Sequence, residues 1–315
     1  MKCIRSKGRV VIIGSGFVGS SAAFAIAMSG NASEIILVDI NNEKAMGEAL
    51  DLNHGLSFMG QMNITHGEYS HVKDADVIII TAGGARKPGQ TRHDLAKGNA
   101  EIVRSIVPKI MENYTTGVIL VVSNPVDVLT YLVQKLSGLP ENRVMGSGTV
   151  LDSSRFRYLI SQHCGVDVRN VHGYVIGEHG DSEVLLWNTT NIAGEKLTEY
   201  CNVCKRGCPI PIGQITKEVK EAGAKIIRYK GATYYAIALG INRIVEAVLK
   251  NQNSILTVGS VINGQYGIRD VALSLPSVIN ANGIESIFEI TLSDEELTAL
   301  NESARKIREV IDSIV

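Results

Sequence analysis

The chain has 315 residues, 45% apolar and 20% charged, with a formal net charge of −1. That length suits one large domain or two closely joined ones with a sizeable core. The near-zero charge leaves no broad basic face for nucleic acid, and no run approaches the ~20 apolar residues of a membrane span. The basic stretch Met1–Arg9 lacks the apolar segment and cleavage site of a secretory leader, so the cytoplasm is expected. Five cysteines, an odd count, fit reduced thiols. Cys201, Cys204 and Cys208 form C-x2-C-x3-C without an evident fourth ligand, and no metal is expected.

Residues 9–13 read as a buried strand, followed by Gly14-Ser-Gly-Phe-Val-Gly19, an alanine-rich helix over 20–29, and a second strand over 34–38 ending in Asp39. Strand, glycine turn, helix, strand and acid together form a dinucleotide-binding fingerprint. Gly14 permits the tight turn, Gly16 lets the backbone approach a diphosphate, and Gly19 lets the helix lie close on the sheet. The helix N-terminus then faces the phosphates. Asp39, 20 residues past Gly19, suits a ribose 2′-hydroxyl and would repel a 2′-phosphate, which favours NAD over NADP. Lys44 and Tyr69 either edge the adenosine site or are simply solvated.

Strands over 76–81, 117–122 and 143–145 alternate with helices over 42–53 and 126–136, predicting a doubly wound parallel sheet over residues 1–148. Residues 149–315 read as an α+β unit. It has a helix over 151–162, strands within 168–186, helical stretches over 213–230 and 232–250, an antiparallel pair over 254–262 and 269–277, and a last helix opened by the capping box Ser293-Asp-Glu-Glu296. Leu297, Leu300, Ala304, Ile307, Ile311 and Ile314 form one apolar stripe on that helix, for core or subunit contact.

The stretch Val175-Ile-Gly-Glu-His-Gly-Asp-Ser182 places a histidine between glycines and acids, inside otherwise apolar sequence. His179 has the pKa for proton exchange near neutrality. Four further pieces carry chemistry. Arg86 and Arg92, in the Gly- and Pro-containing stretch after the strand at 76–81, are either anion contacts or a solvated basic loop. Asn124 and Asp127 belong to Ser123-Asn-Pro-Val-Asp127 and are grouped with substrate contacts. Asp152 and Arg155 share a helix face at i,i+3. Thr233 lies where a pocket between two helices would be lined.

These motifs together resemble the lactate/malate dehydrogenase family, and more closely its bacterial L-lactate branch, over essentially the whole chain. Ile176-Gly-Glu-His-Gly-Asp-Ser182 matches the lactate-branch signature throughout. The resemblance implies hydride exchange between nicotinamide and a 2-hydroxy acid, pyruvate/L-lactate, with His179 as acid/base and Asp152 holding its imidazole. Arg155 would clamp the substrate carboxylate, Arg92 would polarise the ketone, and Asn124 would bond the substrate oxygen. Val18, Asp39, Lys44, Tyr69, Gly83, Gly84, Ser105 and Val122 align with NAD-contact positions, joined by Asn124. Arg157 and His172 match an effector site for fructose 1,6-bisphosphate, and a homotetramer is implied. Arg86 departs from the lactate pattern, since malate enzymes carry arginine there for a second carboxylate; malate dehydrogenase is therefore the alternative. A regulator that binds NAD without catalysis need not retain His179, Asp152, Arg155 and Arg92 together.

Overall fold

The computed structural model of the chain describes residues 8–84, 92–204 and 209–314, with the backbone alone for Arg92 and residues 201–204. The first strands and helices are β1 (Arg9–Ile13), α1 (Phe17–Ser29), β2 (Glu34–Val38), α2 (Asn42–His54), β3 (Asn63–His66) and β4 (Val77–Ile80). Then come α3 (Arg92–Met111), β5 (Val118–Val121), α4 (Val126–Ser137), β6 (Val144–Gly146) and α5 (Val150–Cys164). Short two-residue strands follow: β7 (Val171–His172), β8 (Val175–Ile176), β9 (Val184–Leu185), β10 (Asn191–Ile192) and β11 (Glu195–Lys196). The chain closes with α6 (Leu197–Cys204), α7 (Ile212–Lys230), α8 (Tyr235–Leu249), β12 (Ser254–Asn263), β13 (Arg269–Asn280), β14 (Gly283–Ile287) and α9 (Asp294–Ile314).

One sheet of nine strands runs β14-β13-β12-β6-β5-β4-β1-β2-β3. From β6 to β3 every pairing is parallel, and β1, β2, β4 and β5 are Val/Ile-rich because both faces are covered. Alternation splits each strand between two cores. Val10, Ile12, Ile35, Leu37, Val77 and Ile79 share one cluster with α1 and α8 residues. Val11, Ile13, Ile36, Val38, Ile78 and Ile80 share the other with α3 and α4 residues.

The expected parallel sheet and antiparallel pair are both present, and the structure adds how they join. The antiparallel strands extend the parallel sheet: β12 joins its edge through the pair Gly259–Gly146, so one sheet runs through both halves. Two further strands, β3 and β14, complete its ends. Neither had a long apolar run to announce it, because edge strands are short and half exposed. The capping box on α9 forms as expected: the Ser293 N–H donates to Glu296 Oε2 (2.9 Å) and the Glu296 N–H to Ser293 Oγ (3.2 Å). Leu300, Ala304, Ile307 and Ile311 of the stripe are buried in the core with β13 residues. No helix among the described residues is long and apolar enough to cross a membrane.

Candidate active site

The ends of β1, β2, β4 and β5 deliver the first group of residues. Gly14 leaves β1 with φ +108°, and a Cβ there would stand 2.6 Å from the Ala82 amide nitrogen. A Cβ on Gly19 would fall on the Gly14 carbonyl oxygen, so only glycine lets α1 start this close to the turn. At Gly16 a Cβ would meet nothing within 4 Å: the backbone there borders open space. The first turn of α1 carries no acid, so its free N–H groups and positive dipole end are uncompensated. Asp39, just past β2, accepts from the Ser15 N–H (2.6 Å) and the Asn41 N–H (2.9 Å). The Ser15 hydroxyl is buried without a partner among the described residues. Ile40 is fully exposed beside Asp39. An anion-binding turn, an anchored carboxylate and an apolar ledge fit the diphosphate, ribose and adenine of NAD.

Tyr69 is half-buried; burial first, then the charge of Asp39, raises its phenol pKa. Val18 is partly buried in the first turn of α1, and Val122 is buried just past β5. Gly83 and Gly84 follow β4, where buried Asn99 of α3 receives the Gly84 N–H (2.7 Å) and donates to the Asn124 carbonyl (2.6 Å). Asn99 thus ties two strand-end turns together, a role the sequence alone did not suggest. Lys44 is exposed in the first turn of α2. Ser105 is exposed on α3 with its hydroxyl on the Ile102 carbonyl (2.7 Å), and among the described residues no side-chain bond joins it to the other cofactor candidates.

The second group gathers around His179. Helix α5 carries Asp152 in its first turn, where a carboxylate is favoured. Hydroxyls of the same helix region fasten it to the histidine-bearing segment: Thr149 Oγ1 donates to the Val175 carbonyl (2.5 Å), and the Val175 N–H donates to Ser153 Oγ (2.9 Å). The loop from Gly177 to Ser182 is braced in turn. The Gly177 N–H donates to the Ser274 carbonyl (2.9 Å), the Glu178 N–H to Ser303 Oγ (2.8 Å) and the Ser182 hydroxyl to Glu178 Oε2 (2.5 Å).

Within this frame Asp152 Oδ2 lies 2.5 Å from His179 Nδ1, and its Oδ1 receives Arg155 NH1 at 2.7 Å. Asp152 is buried, whereas the side chains of His179 and Arg155 remain 26% and 15% exposed. The Asp152 charge, opposed by burial, raises His179 to about 9. Burial pushes Asp152 up, but the charge and hydrogen bond of His179, then Arg155, outweigh it and hold Asp152 below the usual carboxylate range. Since Nδ1 faces Asp152, Nε2 is the nitrogen left for a substrate.

Asp127 departs from its sequence-based grouping with substrate contacts. It is buried, and its Oδ2 accepts the His179 backbone N–H (2.8 Å), so it positions the histidine from behind. Its other oxygen has no partner among the described residues, and burial pushes its pKa up to about 7. Asn124 is exposed at the mouth between β5 and α4, and Thr233 lies between α7 and α8. Glu183, buried four residues past His179, was not singled out from sequence; its place just before the apolar run Val184–Trp187 was the available signal.

Arg157 is partly buried on α5, which packs against β7, the strand of exposed His172. Arg86, the side chain of Arg92, and those of Cys201, Cys204 and Cys208 lie outside the described residues.

Comparison with known proteins agrees with this geometry. Residues 8–146 match the family model "lactate/malate dehydrogenase, NAD binding domain" and residues 149–315 its "alpha/beta C-terminal domain". An L-lactate dehydrogenase of Thermoanaerobacterium saccharolyticum is 52% identical, over 97% of this chain and 99% of that protein. The solved L-lactate dehydrogenase of Clostridium thermocellum is 53% identical with a TM-score of 0.88, over 98% of this chain and 99% of that one. The minor L-lactate dehydrogenase of Enterococcus mundtii is 42% identical with a TM-score of 0.95, over 99% of each chain. The chain belongs to the lactate/malate dehydrogenase family.

Proposed function

We infer that the chain catalyses the reversible, NADH-dependent reduction of pyruvate to L-lactate. The observation that carries this reading is the single buried carboxylate of Asp152 holding both an imidazole and a guanidinium. One group moves a proton while the other waits for an anion. NAD(H), bound along the turn Gly14–Gly19 and Asp39, supplies the hydride donor and acceptor.

His179, protonated at neutral pH because its pKa is about 9, gives its Nε2 proton to the oxygen that becomes the hydroxyl. In the reverse direction neutral His179 takes that proton, and Asp152 stabilises the imidazolium. Arg155 keeps donors beyond the one on Asp152 and pairs with the substrate carboxylate. Arg92 polarises the ketone, Asn124 bonds the substrate oxygen, and Arg86 and Thr233 border the substrate side chain. Gly14, Gly16, Val18, Gly19, Asp39, Lys44, Tyr69, Gly83, Gly84, Ser105, Val122 and Asn124 make up the cofactor set. Residues 1–148 serve the cofactor and 149–315 the substrate.

The malate reading rested on Arg86, and relatives at about 50% identity named L-lactate dehydrogenase do not favour it. Arg157 and His172 form the effector site for fructose 1,6-bisphosphate. The enzyme is a cytoplasmic homotetramer; its exposed apolar side chains on α1 (Phe24, Met28), α2 (Met46, Leu50) and α8 (Leu239) support assembly.

The test is NADH consumption with pyruvate and with oxaloacetate, each with and without fructose 1,6-bisphosphate. A kcat/KM for pyruvate at least about tenfold higher is expected, a preference of about 1.4 kcal/mol; a preference for oxaloacetate would overturn the assignment. The bisphosphate should lower the KM for pyruvate, and Arg157→Gln should abolish that response.

A further inference from the structure

Glu183 stands apart from the other acids near His179. Asp152 holds two cationic partners, Glu178 accepts from Ser182, and Asp127 accepts the His179 N–H. Glu183 is only 5% exposed, yet its Oε1 is buried without a hydrogen bond among the described residues. A buried carboxylate with no donor is costly, whereas the neutral acid is tolerated.

We propose that Glu183 is a proton-linked positioning residue for substrate binding: it takes up a proton when an anionic 2-oxo acid pairs with Arg155. The proposal rests on the reading above that Arg155 receives the carboxylate. Among the described residues, the charged groups that act most strongly on Glu183 are Asp152 and Arg155 from α5, His179 from its own segment and Lys220 from α7, whose Nζ bonds the Asp181 carbonyl (3.1 Å). Helix α9, packed on β9, presents Ser303 to the neighbouring loop and carries Glu296, which receives the Asn188 N–H. Burial and then Asp152 push Glu183 up to about 8, against His179, Lys220 and Arg155.

Arg155 is therefore one of the cations that favour ionised Glu183. A substrate carboxylate on Arg155 cancels that field and adds a negative charge, so protonated Glu183 and bound substrate favour each other. The sign follows: binding is complete while Glu183 is protonated, below about 8, and weakens as pH rises through that value. Loss of the His179 proton, at about 9, acts in the same direction for pyruvate reduction. The falling limb of kcat/KM should then have two steps, with a slope of about −1 that steepens to about −2.

The decisive experiment compares wild type and Glu183→Gln in kcat/KM for pyruvate against pH. Proton uptake is measured in parallel by calorimetry in two buffers, as oxamate, the unreactive amide analogue of pyruvate, binds the NADH complex. The variant should show one step, so at about pH 9 it retains roughly tenfold more of its own plateau than wild type does. At that pH it should take up about one proton fewer per oxamate bound. Slope and proton count read out irrespective of absolute rate. If the variant does not fold, uptake in wild type alone decides: uptake centred only near the His179 pKa overturns the proposal. Equal profiles and equal proton counts overturn it while leaving the functional reading intact. A wild-type enzyme that neither reduces pyruvate nor binds oxamate overturns both.

Discussion

The cofactor turn and the proton-transfer pocket, on the same molecule, are built by opposite means. The turn works through what its residues lack: side chains are absent at Gly14, Gly16 and Gly19, which leaves bare backbone at the end of β1. The pocket works through what its residues add, since Asp152, Asp127 and Glu183 place carboxylates where water does not reach. In the first region an extra methyl group is the damaging change. In the second it is a change of charge at constant shape, because a buried ionic group is held by its partners and by little else.

Substitutions that sharpen this contrast follow in order of expected effect. Asp152→Asn keeps the size of the side chain but removes the charge that raises His179. The kcat/KM for pyruvate should fall by about 10³–10⁴, and the His179 step on the falling limb of its pH profile should move down from about 9 towards the ordinary histidine range. An unmoved limb would mean that Asp152 does not set the imidazole pKa. Gly19→Ala drives a Cβ into the Gly14 carbonyl and should weaken NADH binding by about a hundredfold or more, together with a lower Tm. Gly16→Ala separates ligand from fold: its Cβ has open space, so Tm should hold while NADH affinity, read by fluorescence titration, drops about ten- to a hundredfold. Wild-type affinity in that variant would place the diphosphate elsewhere.

The smallest effect belongs to Asp127. Its folded-state pKa of about 7 lies above the ordinary 3.8, so folding holds a proton that the unfolded chain releases first. Stability from this group is therefore present below the ordinary value and lost as pH rises towards 7. Asp127→Asn keeps an acceptor for the His179 N–H and removes the titration. Relative to wild type it should gain up to about 2–3 kcal/mol more at pH 8 than at pH 5, measured by denaturant unfolding. An equal difference at both pH values would mean that Asp127 does not titrate on folding.

Much of the first region was legible in the sequence because its determinants are local. A strand, three glycines and an acid within thirty residues carry the geometry in their spacing, and β1, α1 and β2 form where that spacing put them. His179 was legible too, as a polar interruption of an apolar stretch. Its partners were harder to read. Asp152 lies 27 residues away and Asp127 52 residues away, and neither distance carries a period that links it to the histidine. Side-chain direction was the other loss: Asp127 follows Asn124 by three residues, yet it is buried while Asn124, just before α4, stays exposed. Glu183 was hidden for a related reason, because an acid beside a glycine-rich loop reads as solvated until burial is known.

The joint between β6 and β12 has a mechanical consequence. There Gly146 faces Gly259, and a side chain on Gly148 would stand 2.5 Å from the Gly259 amide nitrogen. Two backbones pressed together in this way, in the middle of an unbroken sheet, leave no plane along which the halves could swing as a jaw. The strand ends around the glycine turn and the loop of His179, which pairs with β13 through Gly177 and Ser274, therefore stand on one common support.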